Sequence, residues 1–528
     1  MDNSAPAARN TIYSSGKTDN TCKFDCTATT CTNCTSNDET QIYEQKFPGN
    51  IPTRHVLTIL GFLGFFVIYS LRVNLSVALV AMVNNTAIWT NITIIEECSK
   101  QSGILNSTLK YEKDGEFAWD ENLQGIILAA FFYGYILTQV PGGRLAEQYS
   151  AKWLFGSGIL WTSLLTMLTP IVARWSVTAF IILRILEGIG EGITYPALNV
   201  MYARWIPLQE RSTVISLVGT GANLGTVITL PAAAMLCNCD FGGGWPTVFY
   251  IFGSCGILWF FFWILLIHDW PEEHPTILRR EILYIQTNRQ CITNYLKLTK
   301  VPWHSILTSV PLWALSFTKF CGNWGFSMLL TELPLYLNNV LHFPIKQNGY
   351  KNALLYIAET LTMTGSGVAS DYLRVKGYFR TTTIRKIFES ISMLGPAFCL
   401  VLVPFVGCDG TAAVYLFVFS MAFYGFSSGG DGPIALDMAP EFAGTVMGIV
   451  NAVTNVAGLF APLVGGFLTE HNESLVQWGK VFYLAAGMYI LGALIFLLFG
   501  SAEVQPWAVI PEDSCTEPLN PQEDNHRE

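Results

Sequence analysis

The sequence predicts an all-α membrane protein in which twelve transmembrane helices form two halves of six. Charged residues are only 13% of the 528 residues and hydrophobic residues are 51%, whereas about 25% of the residues of a soluble domain are charged. Long apolar stretches recur along the chain, and a helix needs about 20 apolar residues to cross a bilayer. The longest loop predicted on the side of the two chain ends, residues 269–305, separates six stretches from the other six.

Each predicted span is a stretch with few or no Asp, Glu, Lys or Arg residues. The first span is interrupted only by Arg72. Three further spans, 177–201, 306–336 and 349–370, carry internal charges and are recognised by their remaining apolar residues. The complete set is predicted at roughly 55–83, 120–142, 153–173, 177–201, 212–236, 246–268, 306–336, 349–370, 387–406, 411–434, 444–469 and 480–501.

The spans divide the chain into five regions, and the distribution of charge orients them. With both tails in the cytosol, the loops on that side hold 14 Lys and Arg residues and the opposite loops hold seven, as the positive-inside rule requires. Residues 1–50 contain no short apolar stretch, so we expect no cleaved signal peptide. We predict a disordered cytosolic tail (1–50), a six-helix half (51–268), a cytosolic linker (269–305) with a short amphipathic helix near 276–290, a second half (306–501) and an acidic cytosolic tail (502–528).

The loops on the opposite side carry the marks of a non-cytosolic compartment. Cys98, Cys237, Cys239 and Cys408 lie on that side and could form a disulfide bond, and of these we expect Cys98 to pair with Cys408. Asn-X-Ser/Thr sequons accept N-linked glycans in such loops. The predicted glycosylation sites are Asn91, Asn106 and Asn472.

The charge balance excludes several classes of protein. The net charge is −9, with six acids and four bases in residues 1–50 and seven acids and one base in residues 502–528. The body is therefore nearly neutral, which argues against a nucleic-acid partner, a disordered protein and a secreted disulfide scaffold. The sequence shows no metal-ligand cluster, nucleophile elbow or phosphate loop, so we expect neither an enzyme nor a metal site.

Arg72 lies inside the first predicted span and has no acid within one helical turn. A charge at the centre of a bilayer costs at least about 2.5–3.5 kcal/mol and therefore faces a cavity or a partner. The planar fork of an arginine matches a carboxylate with two hydrogen bonds. We therefore predict that Arg72 binds an anionic substrate, with the alternative that it pairs with an acid on another helix, such as Asp431 or Glu359.

Arg184, Glu187 and Glu191 follow one another at helical spacing in the fourth span. At 3.6 residues per turn they share one helix face, and Arg184 can pair with Glu187. Glu191 lies one turn further and is less compensated. Burial disfavours the charged form of a carboxyl group, so such a residue can bind and release a proton. We predict that Glu191, with Glu187 and Arg184, couples transport to protons; the alternative is a structural charge network.

Lys319 lies in the seventh span, near its predicted start. One interpretation is that it supplies a second cation for an anionic substrate. The other is that its long side chain extends to the cytosolic surface. The residues around it leave both interpretations open.

Five segments together carry a resemblance to a known family. They are LRVNLSVALV (71–80), FFYGYILTQVPGG (131–143), RILEGIGEGITYPA (184–197), WIPLQERS (205–212) and LDMAP (436–440). In this order they resemble the anion-transporter family of the major facilitator superfamily, and most closely its sialin-like branch, from about Arg54 to Trp507. The resemblance implies the major facilitator fold and a secondary carrier of anions that works by alternating access.

The resemblance also implies a substrate class and further site residues. It implies proton-coupled symport of sialic acid or similar acidic sugars, the alternatives being a vesicular glutamate/aspartate-type carrier and a sodium-dependent phosphate cotransporter. Tyr69 and Tyr133 would line the site, and Gly143, Arg144 and Lys152 resemble the charged gating motif of the superfamily. A proton or a sodium ion would be the coupling ion, with no other cofactor. We expect a monomer in the lipid bilayer, and the lysosomal, vesicular and plasma membranes all stay open.

The chain departs from this family where a substrate would bind. Asn199 stands where relatives often carry a histidine, and Ile434-Ala435 replace an Asn-His pair. Asp431 stands where relatives are usually apolar, and we expect it to be either an acid beside the substrate or a partner of Arg72.

Overall fold

The computed structural model of the chain describes residues 52–84, 115–238, 243–289, 301–336, 340, 345–469 and 474–509. Helices account for most of these ranges. In chain order they are α1 (Thr53–Met82), α2 (Glu121–Gln148), α3 (Ala151–Trp175), α4 (Val177–Gly192), α5 (Thr194–Trp205), α6 (Arg211–Asn238), α7 (Trp245–Leu266), α8 (Arg279–Asn288), α9 (Trp303–Leu307), α10 (Val310–Leu335), α11 (Ile345–Val375), α12 (Thr381–Val406), α13 (Gly410–Tyr424), α14 (Ile434–Met438), α15 (Ala443–Thr469) and α16 (Leu475–Phe499).

The structure has a helix, or a pair of consecutive helices, at each of the twelve predicted spans. The all-α prediction is therefore confirmed. Among the described residues, nine helical segments are long and apolar enough to cross a membrane by composition alone. The remaining three spans are α4 with α5, α10 and α11, which carry the internal charges noted in the sequence.

The helix pairings of the first six spans recur in the last six. In the first half α1 packs on α6, α2 on α4 and α3 on α7; in the second half α10 packs on α15, α11 on α13 and α12 on α16. The contacts between the halves follow the same rule, because α2 packs on α15 and α6 packs on α11. The twelve helices thus form two six-helix halves of similar internal arrangement. The boundaries of the five regions stay a prediction.

Close packing of α2 on α4 depends on two glycines. A Cβ added to Gly134 would collide with the backbone carbonyl of Ile185, and one added to Gly188 would collide with that of Phe131. Small residues allow membrane helices to approach each other closely. This contact brings the Phe131 face of α2 against the carboxyl-bearing face of α4.

The fourth span is broken into α4 and α5 at Ile193. Pro196 has no N–H group, so the carbonyl of Gly192 cannot receive the usual bond from the residue four positions later. At the same turn the hydroxyl of Thr194 donates to the carbonyl of Glu191, at 2.6 Å. The sequence predicted one continuous helix here, and the break places Glu191 at the end of α4.

We call the end of the bundle where Thr53 and Trp507 lie the tail end, and the opposite end the far end. Helix α8 lies in the linker, where a short helix was predicted. It is hydrogen-bonded to the start of α1 at the tail end. The carboxylate of Glu281 accepts bonds from the backbone N–H groups of Thr53 and Arg54, both at 3.0 Å.

Several predictions for the far end lie outside the described residues. They concern the glycosylation sites Asn91, Asn106 and Asn472 and the half-cystine Cys98. Cys408 is disulfide-bonded, whereas Cys237 is free. The pairing of Cys98 with Cys408 stays a prediction.

Candidate transport site and gate

Arg72 of α1 and Glu191 of α4 form an ion pair inside the first half. The Nε atom of Arg72 lies 2.8 Å from Oε1 of Glu191, and Nη2 donates to the same oxygen. The side chains are 16% and 1% exposed. The other carboxylate oxygen of Glu191 is buried and has no hydrogen-bond partner among the described residues. The residue predicted to bind the anion is thus joined to the residue predicted to carry the proton.

Asp431 and Glu359, the two acids suggested above as partners of Arg72, do not pair with it in this structure. Asp431 pairs with a lysine of the second half. Glu359 is buried on α11 and interacts with Asn223. The partner is Glu191 because the break after Gly192 and the close contact of α2 with α4 bring the end of α4 beside α1.

Three aromatic rings surround the guanidinium group of Arg72. Its central carbon lies 5.0 Å from the ring centres of Tyr69 and Phe131 and 4.7 Å from that of Tyr135. Aromatic faces attract cations, more strongly when water is excluded. The rings therefore hold the guanidinium in place while leaving its N–H edge for an acceptor.

Tyr133 lies outside this cluster and is 57% exposed. Its predicted place at the substrate site stays a prediction. Because a helix turns by about 100° per residue, Tyr133 and Tyr135 point to nearly opposite sides of α2. The sequence carried a signal that favoured Tyr135, since Phe131 and Tyr135 are four residues apart on one face.

Arg184 and Glu187 form the second ion pair of this region, as their spacing predicted. Oε1 of Glu187 also accepts bonds from the hydroxyl groups of Thr166 and Thr169, each at 3.4 Å. Both carboxylate oxygens of Glu187 are therefore occupied within the first half. Glu191 keeps one free oxygen, so of the two acids it is the one with room for a proton.

Lys319 of α10 pairs with Asp431 of the second half. Its Nζ atom lies 3.1 Å from Oδ1 of Asp431. The side chain of Lys319 is 16% exposed and that of Asp431 is 6% exposed, so the lysine does not extend to the tail-end surface. Asp431 in turn donates its backbone N–H to Oε2 of Glu389, at 3.1 Å.

The predicted gating motif lies where the halves meet at the tail end. A Cβ added to Gly143 would collide with the backbone of Gly444 in the second half. Glu147 accepts bonds from the N–H group and the hydroxyl of Thr445, at 2.5 and 2.6 Å, and pairs with Arg144 at 3.3 Å. An acid at a helix N-terminus satisfies free N–H groups and complements the helix dipole.

Lys152 is not part of this contact. Its backbone N–H group donates to Asp269, at 3.0 Å, and its ammonium group lies 5.8 Å from the ring centre of Trp153. Lys152 therefore belongs to the inner packing of the first half, near the linker. Of the three predicted gating residues, Gly143 and Arg144 lie at or beside the junction of the halves.

A second carboxylate, this time from the second half, joins the two halves at the tail end in the same way as Glu147. Asp371, near the end of α11, accepts bonds from the N–H groups of Ser212 and Thr213 and from the hydroxyl of Thr213, at 3.1, 2.6 and 2.8 Å. Each half thus ends one of its helices with an acid that caps a helix of the other half. Nothing in the sequence predicts this contact, because Asp371 and Thr213 are 158 positions apart.

A buried cluster of three arginines around Asp437 completes the tail-end closure. Asp437 is bound by Arg211 of the first half and by Arg385 of the second, both at 2.9 Å, with Arg374 at 3.5 Å. Burial alone would raise the pKa of Asp437, but the arginines lower that pKa to about 2. Arg211 and Asp437 lie in two of the five segments that carry the family resemblance. Their place in those segments is the sequence feature that could have pointed to this cluster.

Replacing Asp437 by asparagine is expected to loosen the tail end. Removing one partner of a buried ion pair leaves uncompensated charge and costs about 3–5 kcal/mol. We expect a lower midpoint of thermal unfolding in detergent. Asp409→Asn is the matched control, because Asp409 caps α13 at an exposed position and asparagine caps equally well. Equal midpoints for the two variants would contradict a role for this cluster in holding the halves together.

The same pKa predicts how the closure responds to acid. A carboxyl group whose pKa is lowered on folding stabilises the fold above its ordinary pKa, and this contribution disappears as the pH falls through the folded value. With a pKa of about 2, the Asp437 cluster stays charged at every cellular pH. We therefore expect no opening of the tail end through Asp437 in a weakly acidic compartment.

A second prediction concerns Gly143. In Gly143→Ala the new methyl group would meet the backbone of Gly444, and such overpacking costs about 1–3 kcal/mol. We expect the tail end to close less often, so that a cysteine replacing the buried Ala443 reacts faster with a maleimide, as followed by mass spectrometry. Gly365→Ala is the control, because a Cβ there meets nothing within 4 Å. Equal labelling rates in both backgrounds would refute the gating role of Gly143.

Comparison with known proteins agrees with this architecture. The family model of the Major Facilitator Superfamily matches residues 61–453. Human sialin is 44% identical over 459 residues, covering 86% of this chain and 91% of sialin. A putative inorganic phosphate cotransporter of Drosophila melanogaster is 37% identical, covering 90% of each chain. Vesicular glutamate transporter 3 of Danio rerio is 35% identical, covering 90% of this chain and 79% of the transporter.

Among solved structures, the proton:xylose symporter XylE bound to 6-bromo-6-deoxy-D-glucose superposes with a TM-score of 0.66. The alignment covers 85% of this chain and 97% of XylE at 15% identity, so it supports the fold alone. The chain therefore belongs to the major facilitator superfamily and is a multi-pass membrane transporter. Within that superfamily it is a sialin-like anion transporter.

Proposed function

We propose that this protein is a proton-coupled symporter of organic anions, with sialic acid or a similar acidic sugar as its substrate. The ion pair between Arg72 and Glu191 is the observation that carries the proposal. It joins a group suited to a carboxylate, a guanidinium held by three aromatic rings, to a buried acid with one free oxygen.

The pair makes the anion and the proton depend on each other. While Glu191 is ionised, it occupies the N–H groups of Arg72 that a substrate carboxylate needs. A proton on Glu191 removes that competition, and the freed guanidinium can then hold the substrate with two hydrogen bonds. By linkage, the substrate must in turn favour protonation of Glu191.

The same ion pair would allow the carrier, once empty, to return to the conformation in which it binds substrate. Without substrate and proton, Arg72 and Glu191 neutralise each other, so no uncompensated charge remains in the membrane. The two halves can then rock about the central site and expose it to the other side. The proton therefore crosses with the anion, which is symport.

The surroundings of Arg72 favour a substrate with many polar groups. Nδ2 of Asn451 in the second half lies 3.1 Å from the hydroxyl oxygen of Tyr135 and 3.0 Å from Oε1 of Gln139. Nε2 of Gln139 is buried and has no partner among the described residues. Amide groups at the junction of the halves can donate to and accept from sugar hydroxyl groups, which a phosphate ion does not require.

We further propose that the tail end faces the cytosol. The excess of Lys and Arg in the loops at that end supports this orientation. The structure would then be the state closed to the cytosol, because the contacts of Glu147, Asp371 and Asp437 join the halves there. The site would take up or release its substrate at the lumen of an organelle or outside the cell.

The test is uptake into proteoliposomes that contain the full chain. Labelled sialic acid, glucuronate, glutamate and phosphate are offered separately under a proton gradient, under a sodium gradient and under neither. We expect proton-driven uptake of sialic acid or glucuronate. Tyr149→Phe is a suitable control because Tyr149 is 65% exposed and lies at the tail end of α2, away from the cluster. Sodium-driven phosphate uptake, or proton-driven uptake of glutamate alone, would replace this proposal by one of the two alternatives.

A further inference from the structure

The second half contains a buried charge cluster that the proposed cycle does not use. It consists of Lys319 on α10, Glu389 on α12 and Asp431 in the turn between α13 and α14. Glu389 is fully buried and Asp431 is 5% exposed. Lys319 bonds Asp431, and the N–H group of Asp431 bonds Oε2 of Glu389, both at 3.1 Å.

The charges of this cluster do not balance. Two carboxyl groups face one ammonium group, so full ionisation would leave one uncompensated negative charge inside the membrane, which is strongly unfavourable. Oε1 of Glu389 is buried and has no hydrogen-bond partner among the described residues. Oε1 of Glu389 is therefore a place where the cluster can bind a positive charge.

The neighbouring groups do not supply that charge. Arg385, one turn before Glu389 on α12, is bound to Asp437. The nearest other titratable groups are Tyr424 on α13 and Tyr195 on α5. Beyond Tyr424 lie Tyr489 on α16 and Glu359 on α11, an acid that supplies no positive charge. A neutral hydroxyl group can donate a hydrogen bond but leaves the charge unchanged.

A small cavity at the junction of the two halves reaches Gly432, the residue after Asp431. It has a volume of about 20 Å³ and is lined mainly by residues of the first half, among them Tyr195, Asn199 and Tyr202. Since α5 runs from the central site to the tail end, the cavity lies beside the tail-end closure. It has room for about one water molecule, one residue away from Asp431.

We propose that Glu389 and Asp431, with Lys319, form a second proton-binding site, so that each half of the carrier holds one exchangeable proton. The two carboxyl groups share one proton in the conformation closed at the tail end. Opening of the halves at the tail end would wet the cavity and allow this proton to leave. The existence of this second site does not depend on the proposed symport. Only the part that the site would play in the transport cycle rests on that proposal.

The test is infrared difference spectroscopy of the full chain in liposomes, recorded between acidic and alkaline pH without substrate. The probe is the carbonyl stretching band of protonated carboxyl groups, which carboxylates do not give. We expect Glu389→Gln to remove one component of the band, Glu191→Gln to remove another, and the double variant to remove both. Lys319→Met leaves two acids without a cation, so the band at neutral pH should grow.

Control variants distinguish a change of the infrared band that comes from this cluster from one that comes from other carboxyl groups. Glu503→Gln removes an exposed carboxyl group and should leave the buried component unchanged. If Glu389→Gln does not fold, Asp431→Asn makes the same comparison, because it also leaves one carboxyl group beside Lys319. An unchanged band in the cluster variants would overturn the proposal, as would a band that responds to sodium at constant pH, which indicates a metal-cation site. Since no substrate is present, failure of sialic acid uptake would count against the proposed symport alone.

Discussion

Replacement of Glu191 by glutamine is expected to uncouple anion transport from the proton gradient. Glutamine has the shape of a protonated glutamic acid, so Arg72 is free for a substrate carboxylate at every pH. The variant should still exchange labelled for unlabelled substrate across the membrane. It should no longer accumulate substrate above the outside concentration when a proton gradient is applied. Both quantities are measured in the same proteoliposomes, with the native chain beside the variant.

Glu187→Gln is the matched control, because both residues are buried acids on α4 next to an arginine. The two oxygens of Glu187 are bound by Arg184, Thr166 and Thr169, so its replacement should reduce stability rather than coupling. We expect Glu187→Gln to unfold at a lower temperature but to keep proton-driven accumulation. If Glu187→Gln were uncoupled and Glu191→Gln were not, the roles of the two acids would have to be exchanged.

Replacement of Arg72 by glutamine is expected to abolish binding of the anion. Hydrogen bonds to a charged group contribute about 1.5–3 kcal/mol, which corresponds to a loss of roughly 10- to 150-fold in affinity for each bond removed. Arg72→Lys should lie between the native chain and Arg72→Gln, because lysine keeps the charge but lacks the planar fork. The measurement is the concentration dependence of uptake or of substrate-induced thermal stabilisation.

A double variant distinguishes substrate binding from a structural role of Arg72. Arg72→Gln alone leaves Glu191 buried without its partner, which costs about 3–5 kcal/mol unless the acid takes up a proton. In Arg72→Gln/Glu191→Gln neither charge remains, so the midpoint of thermal unfolding should recover. Transport should not recover, because the group that holds the anion is missing. Recovery of transport in the double variant would show that the pair is only a structural lock.

The twelve spans could be predicted because they depend on properties local to each segment. A run of apolar residues is a helix in a bilayer whatever surrounds it, since its backbone groups must bond within the segment. The pair Arg184–Glu187 was predictable for the same reason, because residues three apart on a helix are neighbours. The break at Ile193 was missed, although Pro196 supplied a signal, because a proline in a membrane helix produces a kink only in some contexts.

The sequence could not predict which charged residues on different helices pair with each other. Arg72 and Glu191 are 119 positions apart, and Glu147 and Thr445 are 298 positions apart. The cost of a buried charge shows that Arg72 and Lys319 need partners, but it does not choose between Glu191, Asp431 and Glu359. That choice depends on how each helix is rotated and on how closely it approaches its neighbours.

The sequence by itself thus determined the class of protein, the number of spans and the residues whose charges require a cavity or a partner. The tertiary structure decided which charges meet: Arg72 with Glu191, Lys319 with Asp431, and Asp437 with Arg211. The physical reason is that helical periodicity places a side chain on one face of its own helix. The packing of glycine surfaces such as Gly134 against Ile185 then decides which faces of different helices come into contact.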